Sequence, residues 1–202
     1  MTDSGILKML QTFCSSNEDR LPLLSPFNQE GNTYATNGKV CVVVEGRELA
    51  SNDPYMRYPK MSAIMTKDII EDCKKAFQLL PKIPATNDVC PDCDGDGEVL
   101  FIYRTVTDNF AHSIAWECPC CDGSGTDPRP SMVLLDSRIF NADILRKIKI
   151  LPGLKILPRW DLFLTPLAFK FDLGYGAMAA IRAEDIPFIN RAPLIKEVPS
   201  EQ

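Results

Sequence analysis

Apolar residues recur along this chain at two spacings, and the switches between them predict its elements. From residue 4 to residue 14, Ile6, Leu7, Leu10 and Phe13 keep the spacing of an amphipathic helix, with Ser4 placed to cap its start. From Leu23 to Glu45 the spacing tightens. Pro26, Asn28, Gly31, Asn32, Asn37 and Gly38 divide that stretch into short strands, the last running from Val40 to Val44. Residues 46–64 are polar, carry Pro54 and Pro59, and read as a loop. A second helix follows, capped by Thr66, with Ile69, Ile70, Cys73, Phe77 and Leu80 as its apolar stripe and Pro81 as its stop. Cys73 lies on that stripe and reads as a small core residue, not a reactive thiol.

After a cysteine-rich stretch, Pro128 and Pro130 precede a return of the globular pattern. Met132 to Leu135 reads as a strand and Asn141 to Ile150 as a helix. Pro152-Gly153 turns the chain into a strand from Leu154 to Leu157. Leu167, Phe169 and Phe171 alternate as a half-buried strand does. Gly174 and Gly176 are expected to mark a hairpin turn into a strand from Ala177 to Arg182. Pro187, Pro193 and Pro199 make the end read as an extended tail. The prediction is an α+β fold of helices on antiparallel sheet, divided as 1–85, 86–128, 129–183 and 184–202. The second span is an insertion, and the last is the tail.

Composition narrows the classes. The chain has 202 residues, of which 45% are apolar and 24% charged, enough for a sizeable core and too little charge for wholesale disorder. Its net charge of -5 excludes a general nucleic-acid coat, because phosphate binding rests on clustered Lys and Arg. The opening Met-Thr-Asp-Ser-Gly does not read as a secretory signal, and no apolar stretch approaches the roughly 18 residues of a membrane span. A cytoplasmic protein with no membrane partner is expected. Eight cysteines in a chain of ordinary size, four of them in two tight pairs, point to metal binding in a reducing compartment.

The pairs read Cys90-Pro-Asp-Cys93-Asp-Gly-Asp-Gly and Cys118-Pro-Cys-Cys121-Asp-Gly-Ser-Gly. Each Cys-x-x-Cys turn offers two thiolates, and two turns complete the tetrahedron that Zn²⁺ requires. The glycines let the backbone fold beneath the sulfurs and aim N–H groups at them. Between the pairs, Glu98 to Val106 and Phe110 to Trp116 are rich in β-branched and aromatic residues around Thr107-Asp108-Asn109. That predicts a hairpin which returns the second pair to the first. One structural Zn²⁺ on Cys90, Cys93, Cys118 and Cys121 follows. Cys120 is out of register with the first pair and reads as a bystander. His112 reads as an ordinary strand residue. Asp92, Asp94, Asp96 and Gly97 imitate the start of a calcium loop, but Tyr103 stands where its last acidic ligand belongs. Redox chemistry is disfavoured, because both pairs flank strands and not a helix N-terminus.

These twin Cys-x-x-Cys-x-Gly-x-Gly elements resemble the cysteine-rich region of the DnaJ chaperone family. That family carries four such elements, and this chain has two and no His-Pro-Asp tripeptide, so the resemblance implies the zinc-knuckle chemistry alone. Tyr34-Ala-Thr-Asn-Gly38, the cysteine pairs, Leu151-Pro-Gly-Leu154 and Phe171-Asp-Leu-Gly-Tyr-Gly176 together resemble a group of phage and prophage proteins. The same pieces resemble one domain of a bacterial sliding clamp, with Asn37 where the clamp motif has Asp. That likeness implies two helix-then-strand halves related by pseudo-symmetry.

Charge separates the candidate partners. From 90 to 125 seven acids face only Arg104, a balance of -6 that repels phosphate and suits a protein partner. From 138 to 170 seven bases face Asp143 and Asp161, a balance of +5. Within that segment Arg146, Lys147, Lys149 and Lys155 are the candidate DNA contacts, although a solvated face of snorkelling side chains is the preferred reading of the charges. No catalytic motif is present, and a single histidine offers no evident partner for nucleophilic catalysis. The function expected is a non-enzymatic zinc-binding accessory protein that acts through a protein partner. The alternative is a clamp-related factor that touches DNA.

Overall fold

The computed structural model describes residues 1–83, 89–104, 111–127, 132–135, 138–157 and 165–181. The expected tail, the hairpin tip Thr107-Asp108-Asn109, Arg159, Asp161 and Arg182 lie outside them. The chain forms two compact units, one from 1–83 and 132–202, the other from 84–131.

In chain order the elements begin with α1 (Asp3–Gln11), a 3-10 helix (Glu18–Leu23), β1 (Phe27–Gln29), β2 (Asn32–Thr36) and β3 (Val40–Val44). Next come α2 (Met61–Ile64), α3 (Lys67–Lys75), β4 (Glu98–Arg104), β5 (Ala111–Glu117), β6 (Met132–Leu135) and β7 (Arg138–Asn141). The last are α4 (Ala142–Ile148), β8 (Lys155–Ile156), β9 (Leu167–Phe171) and β10 (Gly174–Met178). The protein is α+β, with antiparallel pairing throughout these strands.

The larger unit is built on a six-stranded sheet in the order β1-β2-β3-β10-β9-β8. The order is palindromic: α1 leads into the meander β1-β2-β3, α4 leads into β8-β9-β10, and β3 meets β10 at the centre. Alternation along β3 assigns its side chains to two cores. Val40, Val42 and Val44 join Ile6 and Leu10 of α1, Phe13 just after it, Leu145 and Ile148 of α4, and Phe140 and Phe169. Cys41 and Val43 join Phe27, Tyr34, Met61, Met65 and Cys73. A strand covered on both faces can be apolar throughout, which explains the Val-Cys-Val-Val-Val run.

Local chemistry sets most element ends. The hydroxyl of Thr2 accepts the Gly5 N–H, so Thr2, not Ser4, caps α1. Thr66 caps α3 as expected, and the side chain of Asn141 accepts the Ile144 N–H to cap α4. α3 ends at Lys75, well before Pro81. Beyond it the Phe77 and Gln78 N–H groups donate to the Ile156 carbonyl, which draws the chain out of the helix into an antiparallel bridge. Phe77 is consequently exposed and not part of an apolar stripe. α2 interrupts the expected loop, and β7 pairs with β6 where no strand was foreseen.

Gly174 and Gly176 do not form the hairpin turn. Asp172 and Leu173 make it, and both glycines lie within β10. A Cβ at Gly174 would enter the Val43 carbonyl, and one at Gly176 would meet the Phe169 ring and the Cys41 carbonyl. Their role is close packing at the centre of the sheet.

Candidate metal centre

The smaller unit places the two cysteine pairs at the base of a two-stranded ribbon. β4 and β5 pair over seven positions, from Glu98 opposite Glu117 to Arg104 opposite Ala111. This ladder brings Cys118 back to Cys90. The Sγ atoms of Cys90, Cys93, Cys118 and Cys121 all lie within 4.8 Å of one another, and all four residues are buried. Cys90 Sγ is 3.8 Å from Cys118 Sγ, and Cys93 Sγ is 3.8 Å from Cys121 Sγ. Sulfurs at the corners of a tetrahedron about 2.3 Å from a central ion stand about 3.8 Å apart, so these two edges fit a bound metal.

The backbone around the sulfurs repeats with the sequence. The Gly97 N–H donates to Cys93 Sγ and the Gly125 N–H to Cys121 Sγ, each at 3.3 Å. The knuckles also exchange bonds: Cys90 N–H donates to the Gly125 carbonyl at 2.9 Å, and Cys118 N–H to the Gly97 carbonyl at 2.8 Å. Asp94 and Asp122 occupy equivalent positions, and both adopt positive φ. Gly97 and Gly125 are required by contact as well as by φ. A Cβ on Gly97 would drive into the Gly123 carbonyl, and one on Gly125 into the Gly95 carbonyl.

The thiols carry the electrostatic mark of a crowded site. Burial pushes Cys90 up, but the N–H groups of Asp92 and Cys93 and the sulfurs of Cys93 and Cys118 outweigh it and bring it down to about 7. Cys118 moves oppositely. Burial and the sulfurs of Cys121 and Cys90 push it up to about 12, against the N–H groups of Cys121 and Cys120. Four thiolates this close would repel one another, and a bound cation would relieve that repulsion. A metal held by all four sulfurs would have no position left for substrate, as in structural sites of this ligand set.

The remaining candidates fall into place around it. None of the eight cysteines, all described, is in a disulfide. Cys120 is half-buried and packs against the cluster, and burial together with Cys90 pushes its thiol up to about 11. His112 sits on β5, its ring stacked on Tyr103 with centroids 5.5 Å apart. Asp92, Asp94 and Asp96 are exposed. The four-cysteine set is the single ligand cluster found among the described residues. Cys73 is buried against the Gly176 carbonyl, and burial pushes its thiol up to about 11, as suits a core residue.

The basic segment is divided in its roles. Lys147, Lys149 and Lys155 are exposed, while Arg146 is half-buried and its guanidinium meets Asp143 at 2.7 Å. Arg138 is only 2% exposed and donates to the carbonyl and hydroxyl of Thr165, which removes it from any outer surface. The Lys170 ammonium donates to the Lys74 carbonyl. Elsewhere in the larger unit, a surface cleft gathers Asp68, Glu71 and Asp72 of α3 with Lys75 and Thr165, and its lining holds no histidine or cysteine. No helix among the described residues is long and apolar enough to cross a membrane.

No family model, curated protein or solved structure matches this chain. The likenesses to DnaJ knuckles, to phage proteins and to a sliding-clamp domain therefore rest on the motifs quoted above.

Proposed function

We propose that this protein is a non-enzymatic, zinc-binding accessory protein of the phage or prophage type that acts by binding a protein partner. One structural Zn²⁺ on Cys90, Cys93, Cys118 and Cys121 holds the ribbon in shape. The observation that carries the reading is the buried four-sulfur cluster, with its two 3.8 Å edges and its N–H groups aimed at the sulfurs. Zinc is favoured over harder cations because thiolate-only sets select soft or borderline metals. The phage-type setting comes from the sequence resemblance.

Metal content by mass spectrometry, on protein purified without added metal, tests the reading. One zinc per chain, lost in Cys90→Ser, is expected. A folded chain with no zinc would overturn it, and bound iron, visible by its absorbance, would replace the metal.

The clamp-related alternative draws on the palindromic strand order and on α1 and α4 sharing one core beneath the sheet. It predicts duplex DNA binding that weakens with salt and disappears when Arg146, Lys147 and Lys149 are reversed in charge. Such binding, measured by fluorescence anisotropy, would promote the alternative over the partner-binding reading.

A further inference from the structure

The alternation of the ribbon sorts its side chains into two faces. Val99, Phe101 and Tyr103 lie on one face, opposite Trp116, Ile114 and His112. Of these, Phe101 is 50%, Tyr103 52%, Ile114 47% and Trp116 62% exposed. Leu100 and Ile102 on the other face are exposed further still. Aromatic and aliphatic side chains gathered this densely at a surface mark an interaction site. The face is also pre-organised, because a seven-pair ladder anchored by the cysteine cluster already fixes the side chains that a partner would otherwise have to order.

Charge along the ribbon is lopsided. Asp92, Asp94, Asp96, Glu98, Glu117 and Asp122 are exposed at the knuckle end, and Arg104 closes the last described pair at the other. These acids repel nucleic acid and anionic lipid alike. A second copy fits poorly too. One face measures about 20 Å by about 10 Å, well below the roughly 800 Å² per partner of a stable dimer, and each copy would add its own excess of acids. What complements the surface is a short extended segment, apolar along its length and basic at one end.

We propose that the Phe101–Ile114–Trp116 face docks such a segment from a partner protein, its apolar side chains over the ribbon and its Lys or Arg residues against the acidic knuckles. This rests on the reading of the cysteine module as a protein-binding element and adds the chemistry of the partner.

The test uses the full chain, with zinc content measured on the same sample. The probe is a fluorescein-labelled peptide of alternating Val and Thr ending in Lys-Lys-Arg-Lys, compared with a counterpart ending in Glu. Anisotropy should show the basic peptide binding at least about tenfold more tightly, with affinity falling as salt rises. The pair Phe101→Ser and Trp116→Ser should lose about tenfold or more while keeping its zinc. Asp94→Asn with Asp96→Asn leaves the apolar face intact and should reduce only the preference for the basic peptide. Equal binding of both peptides overturns the proposal, as does zinc-loaded protein that ignores both. Self-association in sedimentation that depends on Phe101 and Trp116 overturns it in favour of a second copy. Peptide binding by metal-free protein would instead overturn the zinc reading and leave the docking face standing.

Discussion

β3 and β4 are both apolar runs, Val-Cys-Val-Val-Val from Val40 and Val-Leu-Phe-Ile-Tyr from Val99, yet they meet opposite environments. Every residue of β3 is buried. In β4 Val99 is half-buried and the other six residues are exposed. β3 has a strand on each side and a layer of side chains on each face, whereas among the described residues β4 pairs with β5 alone. Burial therefore stabilises the larger unit. In the smaller one the buried cluster is four cysteines with Val99 and Cys120 packed against them, so little apolar burial is available to hold it together. The apolar side chains of β4 are free for another use.

Metal removal should divide the two regions most sharply. Structural zinc contributes on the order of 10–16 kcal/mol in small zinc peptides. Chelation should collapse amide protection in β4 and β5 while leaving β3 and β9 protected, as read by hydrogen exchange. Protection that survives in the ribbon would break the comparison. Acid should act as chelation does: thiols regain protons as pH falls, so metal affinity falls with it, and zinc release can be followed with a chromogenic chelator.

Phe169→Ala should act in the opposite region. Phe169 is fully buried, and its truncation should cost about 3–5 kcal/mol in denaturant unfolding with zinc stoichiometry unchanged. Gly97→Ala should weaken zinc binding by about 10–100-fold in competition titrations, because its Cβ would displace the Gly123 carbonyl and the N–H bond to Cys93. Ile102→Ser should be the mildest. Its side chain is 69% exposed, and the change should stay within about 0.5 kcal/mol. A larger loss would mean that Ile102 supports the fold.

Much of this was legible where the signal is local. β3, β6 and β9 fall where alternation and apolar runs put them, and Thr66 caps its helix. The paired motifs named the four cysteines that come together. Other positions were misread because the deciding partner is distant in sequence. Phe77 has helical spacing but follows a chain captured by Ile156. Gly176 resembles a turn residue but is required by Phe169 and Cys41. Arg138 counts as surface charge until Thr165 is placed beside it.

By itself the sequence determined the α+β pattern, the candidate ligands and the acidic character of the cysteine module, because spacing, residue chemistry and charge are properties of neighbours along the chain. Only the tertiary structure decided that the Val40 run is enclosed and the Val99 run is bare. It also decided that the two knuckles bond reciprocally about one cluster of sulfurs, and that the palindromic sheet joins β3 to β10. Burial and close approach depend on which distant segments meet, and spacing along the chain carries no record of that.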